Sequence, residues 1–508
     1  MQHKKLFFIP ILLSVIGLSS CSFMMVPSAI EIEKSEIKYT YQDYAEHSYT
    51  ESDVCPSIGN PKLLIIPIWF SDSSTFILET NKETVRKDIE LAYTGTSAQT
   101  GWHSVSSFYK EESKGKCNLT ATVSPWYSVS SSYKTYAPED RVNKTTELVK
   151  TASDWYFSNN PNDKRTNYDY DGNGYLDGVM LIYGAPDYGS LKNDKYSNLW
   201  AYCYWVSNPN LKNPSNPGPN AFFWASYDFM YGSNIALRKT GISAFAGGDT
   251  RYTQLDTHTY IHEMGHIFGL VDYYDYSDKA YTPAGGFSMQ DYNIGGHDPY
   301  SVMALGWAEP FVPTSTCTLE IKPFQDSHDI VLLSPRFNSS PFDEYLLVEY
   351  FTPTGLNKLD SNYNYDGKYP LGPASYGIRL WHVDARLVVI EKDMITGFTT
   401  NPNQGEGKYV YPAMSNTYDD EDYGSILGKD YYDYNILQCI RKDRTETYRP
   451  EYVIDSTDLF YDSDTFTMTR YSKQFVNDTS LNSGLSLGWS FTVNKISESK
   501  ASITFTKL

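Results

Sequence analysis

HEMGHIFGLVD, residues 262–272, is the stretch on which the fold and chemistry of this chain turn. His262 and His266 stand four residues apart, which on a helix puts both imidazoles on one face, about one turn from each other. A single zinc ion accepts two such Nε2 atoms at roughly 2.0–2.1 Å. Glu263 follows the first histidine and falls beside the ion, where a carboxylate takes the proton of an activated water. Gly269 comes three residues after His266; having no Cβ, it is free to take positive φ, end the helix and reverse the chain. The reversal brings Asp272 toward the same ion as third ligand, with Asp275 as the competing choice. Asp256 or Thr257 suits the helix N-cap. His258, one turn before His262, reads as a supporting or surface residue. A bare HExxH also fits an ordinary core helix with Ile261, Met264 and Phe268 inward, and that packing is compatible with metal binding.

Downstream lies Gly285-Gly286-Phe287-Ser288-Met289. HExxHxxG followed by a methionine-containing turn is the metzincin arrangement. In it Met289 forms a soft apolar floor under the ligands and is not itself a ligand. Upstream, Asp169, Asp171, Asn173 and Asp177 occupy positions 1, 3, 5 and 9 of an EF-hand-like loop, with Gly174 at position 6 and the Tyr175 carbonyl at position 7. Position 12 is Met180, not Glu, so the loop is truncated and runs straight into a strand. It reads as a structural Ca²⁺ site, against the plainer alternative of an Asx-rich turn. The acidic run 418–423 reads as a solvated loop.

The chain has 508 residues, 41% of them hydrophobic, enough for two or three globular domains. Its net charge of -19 argues against a nucleic-acid partner, which needs a basic face. Acidity fits an extracellular protein and one that binds calcium. The N-terminus opens with a basic MQHKK and a short apolar LFFIPILLSVIGL, ending in Leu18-Ser19-Ser20-Cys21. This resembles a bacterial lipobox, which implies lipidation of Cys21, a membrane anchor and an extracytoplasmic body; the competing reading is an ordinary signal peptide cut near Ser20. Beyond it, Cys55, Cys117, Cys203, Cys317 and Cys439 are too scattered for a disulfide scaffold or a cysteine-ligated zinc.

The order of elements predicts an α+β protein. Residues 1–21 form the signal peptide and 22–58 a tether or short pro-segment. Residues 59–311 form a zinc peptidase-like domain with its active-site helix against a mixed sheet, and 312–508 a β-rich, sandwich-like region. Strands are predicted in the run 62–72, which ends in a turn, and at 178–183, and helices at 80–95, 142–158 and 256–268. Alternating runs past Trp307 predict strands near 318–321, 330–333, 345–350, 377–384, 489–493 and 501–505.

Several blocks together resemble the M6 family of metallopeptidases, the immune-inhibitor-A-like group. They are KLLIIPIWFSD (62–72), SVSSFYKEESKGK (104–116), VSPWY (123–127), DYDGNGYLDGVMLIYG (169–184), HEMGHIFGLVDYYD (262–275), FSMQDYNIGGHDPYSVMALGW (287–307), EYLLVEY (344–350) and GIRLWHVD (377–384). They run in the family's order over roughly residues 60–390. The resemblance implies zinc held by His262, His266 and an acidic third ligand, with Glu263 as general base. It also implies a secreted peptidase acting on protein or peptide substrates. Val271 replaces a proline common in the family, and Tyr273 replaces an acidic residue, so the third ligand stays open between Asp272 and Asp275. Tyr292 is a candidate to reach the substrate oxyanion. His297 lies in a family block near the cleft, with a structural hydrogen-bonding role as the stronger expectation. The expected protein is a monomeric zinc endopeptidase. The alternative is a surface-anchored lipoprotein that binds protein or glycan through its Tyr-rich β region, with a silent peptidase scaffold.

Overall fold

A computed structural model describes residues 32–49, 53–138, 142–192, 194–232, 235–241, 255–276, 282–363, 368–417, 426–428, 431, 433–443 and 452–508. Cys21, the signal segment and the acidic residues 419–422 lie outside the described residues. The chain is α+β.

Six strands form the first sheet: β1 (Lys62–Trp69), β2 (Thr120–Val123), β3 (Tyr127–Ser128), β4 (Val179–Tyr183), β5 (Tyr202–Trp205) and β6 (Ala221–Ser226). The order is β2-β1-β4-β6-β5, with β3 also on β1. All pairs are parallel except β5, which runs antiparallel to β6 at the sheet edge. A parallel sheet covered on both faces needs strands that are apolar throughout, and KLLIIPIW meets that demand. Leu63 and Ile65 face the layer that holds helices Lys82–Thr94, Val105–Glu112 and His258–Ile267. Leu64, Ile66 and Ile68 face the layer of helix Val142–Asn159, through its Leu148, Val149 and Ala152. The helix with the two histidines therefore packs flat on the sheet: Tyr260 reaches over β6, and its hydroxyl donates to Ser226 O at 2.7 Å.

Past residue 311 the chain is antiparallel. β8 (Ile330–Leu333), β9 (Glu344–Phe351), β10 (Gly377–Asp384) and β14 (Leu437–Ile440) form one sheet, in the order β14-β10-β9-β8. β7 (Cys317–Ile321), β15 (Thr465–Phe466), β16 (Trp489–Ser497) and β17 (Lys500–Lys507) form another, β15-β16-β17-β7. A small third sheet joins β11 (Leu387–Glu391), β12 (Met394–Thr399) and β13 (Lys408–Pro412). The first two share a core in which Leu346, Val348 and Leu380 meet Phe491, Ile503 and Phe505. The opposite faces of β9 and β10 join the helix-side core through Tyr345, Leu347, Trp381 and Val383. The core does not divide near 311, because the sheet β14-β10-β9-β8 is buried on both faces.

Residues 32–49 and 53–58, read above as part of a tether or pro-segment, lie packed on this body. Ser35 N donates to Pro310 O at 2.8 Å, Tyr49 N to Val410 O at 2.9 Å and Cys55 N to Ile267 O at 2.8 Å. Helix Tyr41–Glu46 buries Tyr41 and Ala45. The segment is short of aliphatic periodicity, so its docking on both regions leaves no pattern in the sequence. All five described cysteines are free thiols.

β9 and β10 place Glu349 directly opposite Arg379. Both are buried; they are hydrogen-bonded to each other, and Trp381 Nε1 also donates to Glu349 at 2.8 Å. Arg379 Nη1 then donates to Phe287 O at 3.0 Å, two residues before Met289. Glu349→Ala would strand a buried guanidinium and is expected to cost about 3–5 kcal/mol of stability. Chemical denaturation of the two proteins checks this, and a loss under about 1 kcal/mol would contradict it.

Candidate metal centre

The helix His258–Ile267 ends in a Schellman motif centred on Gly269. Gly269 N donates to His266 O at 2.9 Å and Leu270 N to Gly265 O at 3.1 Å, while Gly269 takes φ of +103°. A side chain there would be strained in backbone and would press on Tyr41 and Val54. Gly265 is needed for a different reason: an added Cβ would fall 2.1 Å from Oε1 of the buried Gln290.

The reversal delivers Asp272. Its Oδ1 lies 2.9 Å from His262 Nε2 and 3.2 Å from His266 Nε2, and the two Nε2 atoms are 3.2 Å apart. Among the described residues, these three are the one group of histidine, cysteine and acidic side chains whose ligand atoms all lie within 4.8 Å of one another. Asp275 is buried but stays outside that group. Tyr276 donates its hydroxyl to the other oxygen of Asp272.

Tautomers follow from the partners. His262 Nδ1 meets Met289 O at 2.7 Å, and His266 Nδ1 meets Leu270 O at 2.8 Å. A carbonyl only accepts, so each Nδ1 carries the proton and each Nε2 points a lone pair at the other and at a carboxylate oxygen. Such a set is repulsive unless a cation or an added proton sits among the three atoms. Tetrahedral zinc with bonds of roughly 2.0–2.1 Å places its ligands about 3.3 Å apart, close to the separations here. The residues fit a zinc ion. Without one, burial lowers the His266 pKa but Asp272 outweighs it and raises it to about 9. Burial likewise opposes ionisation of Asp272, yet the two imidazoles hold its carboxyl well below the usual range.

Glu263 is buried beside the histidines. Cys203, on β5, donates its thiol to Glu263 O at 3.0 Å and stands 3.5 Å from Oε2. Burial raises the Glu263 pKa above the usual glutamate value, and the nearby histidines pull it back. Met289 is fully buried, and its backbone carbonyl does more than its side chain was expected to do: it orients His262.

His258 is buried and stacked on Trp102 at 4.0 Å between ring centroids. Its Nδ1 reaches Asp256 at 2.9 Å and its Nε2 reaches Asp360 at 3.2 Å. Burial alone would lower its pKa; Asp360 and Asp256 raise it to about 9. Asp360 also accepts from Gly295 N at 2.6 Å, and Asn357 from Gly296 N at 3.0 Å, so one short helix braces both the helix His258–Ile267 and the methionine turn. Thr257 makes no side-chain cap; its hydroxyl donates to His103 O at 2.7 Å.

His297 is fully buried among Phe108, Tyr109 and Trp307, and its ring nitrogens have no hydrogen-bond partner among the described residues. Burial depresses its pKa to about 3. In place of the expected hydrogen-bonding role, the described residues give it neutral packing among aromatic rings. Tyr292 is half-buried over Gly286, with its hydroxyl pushed up to about 12 by burial.

In the 169–177 loop, backbone donors reach side chains at alternate positions. Gly174 N donates to Asp169 at 3.1 Å, Asn173 N to Asp171 at 3.1 Å and Tyr175 N to Asn173 at 2.8 Å. Asp169 Oδ1 is buried with no hydrogen-bond partner among the described residues. Asp177 instead accepts from Tyr170 N at 3.0 Å and Lys62 N at 3.1 Å. Asp53 joins the loop from the N-terminal segment, accepting from Asn173 Nδ2 at 2.7 Å.

Neither a protein-family model nor a curated protein matches the chain. Tyr276, Cys203 and Gln290 are site residues that no sequence signal marked. Metal analysis of purified protein is expected to give one zinc per chain, lost in Asp272→Ala and retained in Asp275→Ala. The opposite pattern would move the third ligand to Asp275.

Proposed function

We propose that the protein is a zinc-dependent endopeptidase that hydrolyses proteins or peptides outside the cytoplasm. One observation carries this reading: two helix-borne imidazoles and an aspartate present their lone pairs to one point, with a buried glutamate immediately beside them. The metzincin-like arrangement of helix, glycine turn and methionine turn, and a sandwich-like C-terminal region, belong to the same proposal. So does kinship with the M6 metallopeptidases, supported by the motif blocks described above.

Peptide hydrolysis asks for a water stripped of a proton and a leaving amine given one. His262, His266 and Asp272 would hold the zinc, which would supply Lewis-acid activation of water near neutral pH. Glu263 acts as a carboxylate, takes the water's proton on its side chain and passes it to the nitrogen as the C–N bond breaks. Burial raises its pKa, which favours the protonated form that it takes on in that step. The Cys203 thiol supports the carboxylate from the sheet side. The Met289 and Leu270 carbonyls hold both imidazoles in the ligand tautomer.

The 169–177 loop is proposed to hold a structural Ca²⁺, supported by the unpartnered Asp169 oxygen and the alternate side-chain oxygens. Millimolar Ca²⁺ is expected to raise the thermal midpoint by mass action, and Asp169→Asn to remove that gain. An equal gain in Asp169→Asn would place the ion elsewhere.

The decisive test of the enzyme is Glu263→Gln. It is expected to keep one zinc per chain and lose about 10²–10⁴-fold in cleavage of a casein-type substrate. Undiminished turnover in that variant would overturn the role of Glu263.

A further inference from the structure

A cavity of 160 Å³ opens in the antiparallel region, where four parts of the chain meet. Arg336 and Asp343 come from the connection between β8 and β9, Arg386 from the link between β10 and β11, Phe398 from β12, and Leu485 from the segment before β16. None of them belongs to the metal centre.

Its floor is a network of buried charges. Glu344 Oε1 accepts from His382 Nε2 at 2.9 Å and from Asn482 N at 2.5 Å, and Oε2 accepts from Ser483 N at 2.8 Å. Asp384, fully buried, accepts from Arg386 Nε at 2.7 Å, from Arg386 Nη2 at 2.8 Å and from Asn482 Nδ2 at 3.0 Å. This network fixes the site without exhausting it. Among the described residues, Arg386 Nη1 has no hydrogen-bond partner. Nor has Asp343 Oδ2, whereas Asp343 Oδ1 accepts from Glu344 N at 2.8 Å. Burial pushes the Asp343 carboxyl up to about 6, with Arg336 and Arg386 offsetting part of the rise, so it is largely ionised at neutral pH.

The cavity therefore presents a free acceptor and a free donor, with apolar surface beside them. Phe398 is 46% exposed and carries the Arg386 guanidinium 4.7 Å from its ring centroid, and Leu485 is exposed as well. An anion would meet Asp343, and an ammonium group would meet Arg386, so neither sign of charge is served. A neutral ligand with adjacent hydroxyls serves both: one donates to the carboxylate and its neighbour accepts from the guanidinium. The C–H face of a sugar ring would cover the apolar wall. A carboxamide also pairs a donor with an acceptor, but it is flat and has only those two polar groups. Thr400 and Ser483 place further hydroxyls at the rim, which suits a ring bearing several.

We propose that this cavity binds one pyranose unit of a neutral glycan, gripped between Asp343 and Arg386 and seated on Phe398. The site stands independently of the peptidase reading. It also owes nothing to the abundance of tyrosine in the β region, because no tyrosine lines it.

Saturation-transfer NMR and calorimetry on the full-length protein test it, with the methyl glycosides of glucose, mannose and galactose as probes. At least one is expected to bind with a dissociation constant of about 1 mM, the range for a ligand of this size. Phe398→Ala removes an exposed side chain from an edge strand. Asp343→Asn keeps the Oδ1 bond to Glu344 N and turns the free acceptor into a donor. Each should weaken sugar binding by about tenfold or more and leave the thermal midpoint and zinc content little changed. No binding of any probe well above that concentration would overturn the proposal. So would sugar binding that either variant leaves unchanged, which would place the ring elsewhere. N-acetylglycinamide, phosphate and methylammonium are measured alongside. Tighter binding of one of these, lost in the same variants, would reassign the cavity to an amide, an anion or a cation. Sugar binding should survive removal of zinc by a chelator; binding that vanishes with the metal would move it to the metal centre and refute this site. Because no readout depends on cleavage, an inactive protein that still binds the sugar would support the site and count only against the peptidase reading.

Discussion

Three electron pairs aimed at one point are the constraint around which the rest of the molecule is organised. Two Nε2 atoms 3.2 Å apart, with a carboxylate oxygen at 2.9 and 3.2 Å, repel one another unless a cation or an added proton sits among them. The fold must hold them there by other means, and it does so through the backbone. Each Nδ1–H is anchored on a carbonyl, one in the methionine turn and one in the helix's own C-terminal reversal. Neither ring can turn away without losing a buried hydrogen bond, which costs more than its formation contributes. The reversal at Gly269 therefore has two duties: it brings Asp272 round, and it offers Leu270 O to His266.

The methionine turn is in turn held from the far side. Arg379 on β10 donates to Phe287 O, and Asn357 and Asp360 accept from the backbone of Gly296 and Gly295. Met289 N donates to Gly296 O at 3.2 Å. A residue of the antiparallel region is thus two or three bonds from the imidazole of His262. This explains why β9 and β10 carry so many apolar residues on both faces: the sheet is a partition between two cores and a support for the site. Cleaving the chain near residue 311 would strip that support, so the geometry around His262 depends on the whole body and not on its first half alone.

How much of this is legible in the sequence depends on whether a residue acts through spacing or through shape. His262 and His266 at i and i+4, Gly269 at the stop and the apolar runs of β1, β4, β9 and β10 all declare themselves by period. Helix Val142–Asn159 does too, through Leu148, Val149 and Ala152. β5 does not: YCYW is a short edge strand with partly exposed residues, and it reads like the loops around it. The hairpin of β11 and β12 turns on Lys392 and Asp393, at φ of 51° and 60°; the aspartate is a type that tolerates the left-handed region, but the lysine does not advertise it. Tyr276 is one tyrosine among 45, and only folding shows that its hydroxyl reaches Asp272. His297 misleads in the opposite way. A histidine beside a metal motif invites a polar role, whereas three aromatic rings around it make it a flat, neutral packing unit.

The N-terminal segment shows how a stretch without periodicity acquires a structural role. A helix leaves its last carbonyls unsatisfied, and in the active-site helix one of them, Ile267 O, accepts from Cys55 N. Two residues earlier, Asp53 accepts from Trp205 through its backbone and from Asn173 through its side chain, tying the edge strand to the 169–177 loop. Burial, with Asp171 close by, pushes the Asp53 pKa to about 7, and Lys212 offsets only part of that rise. The segment therefore touches the end of the metal-bearing helix, the edge of the sheet and the acidic loop within three residues. A free tether would have no reason to place a backbone donor on a helix terminus and a carboxylate on an acidic loop at once. The economical account is that this stretch folds with the body and completes it.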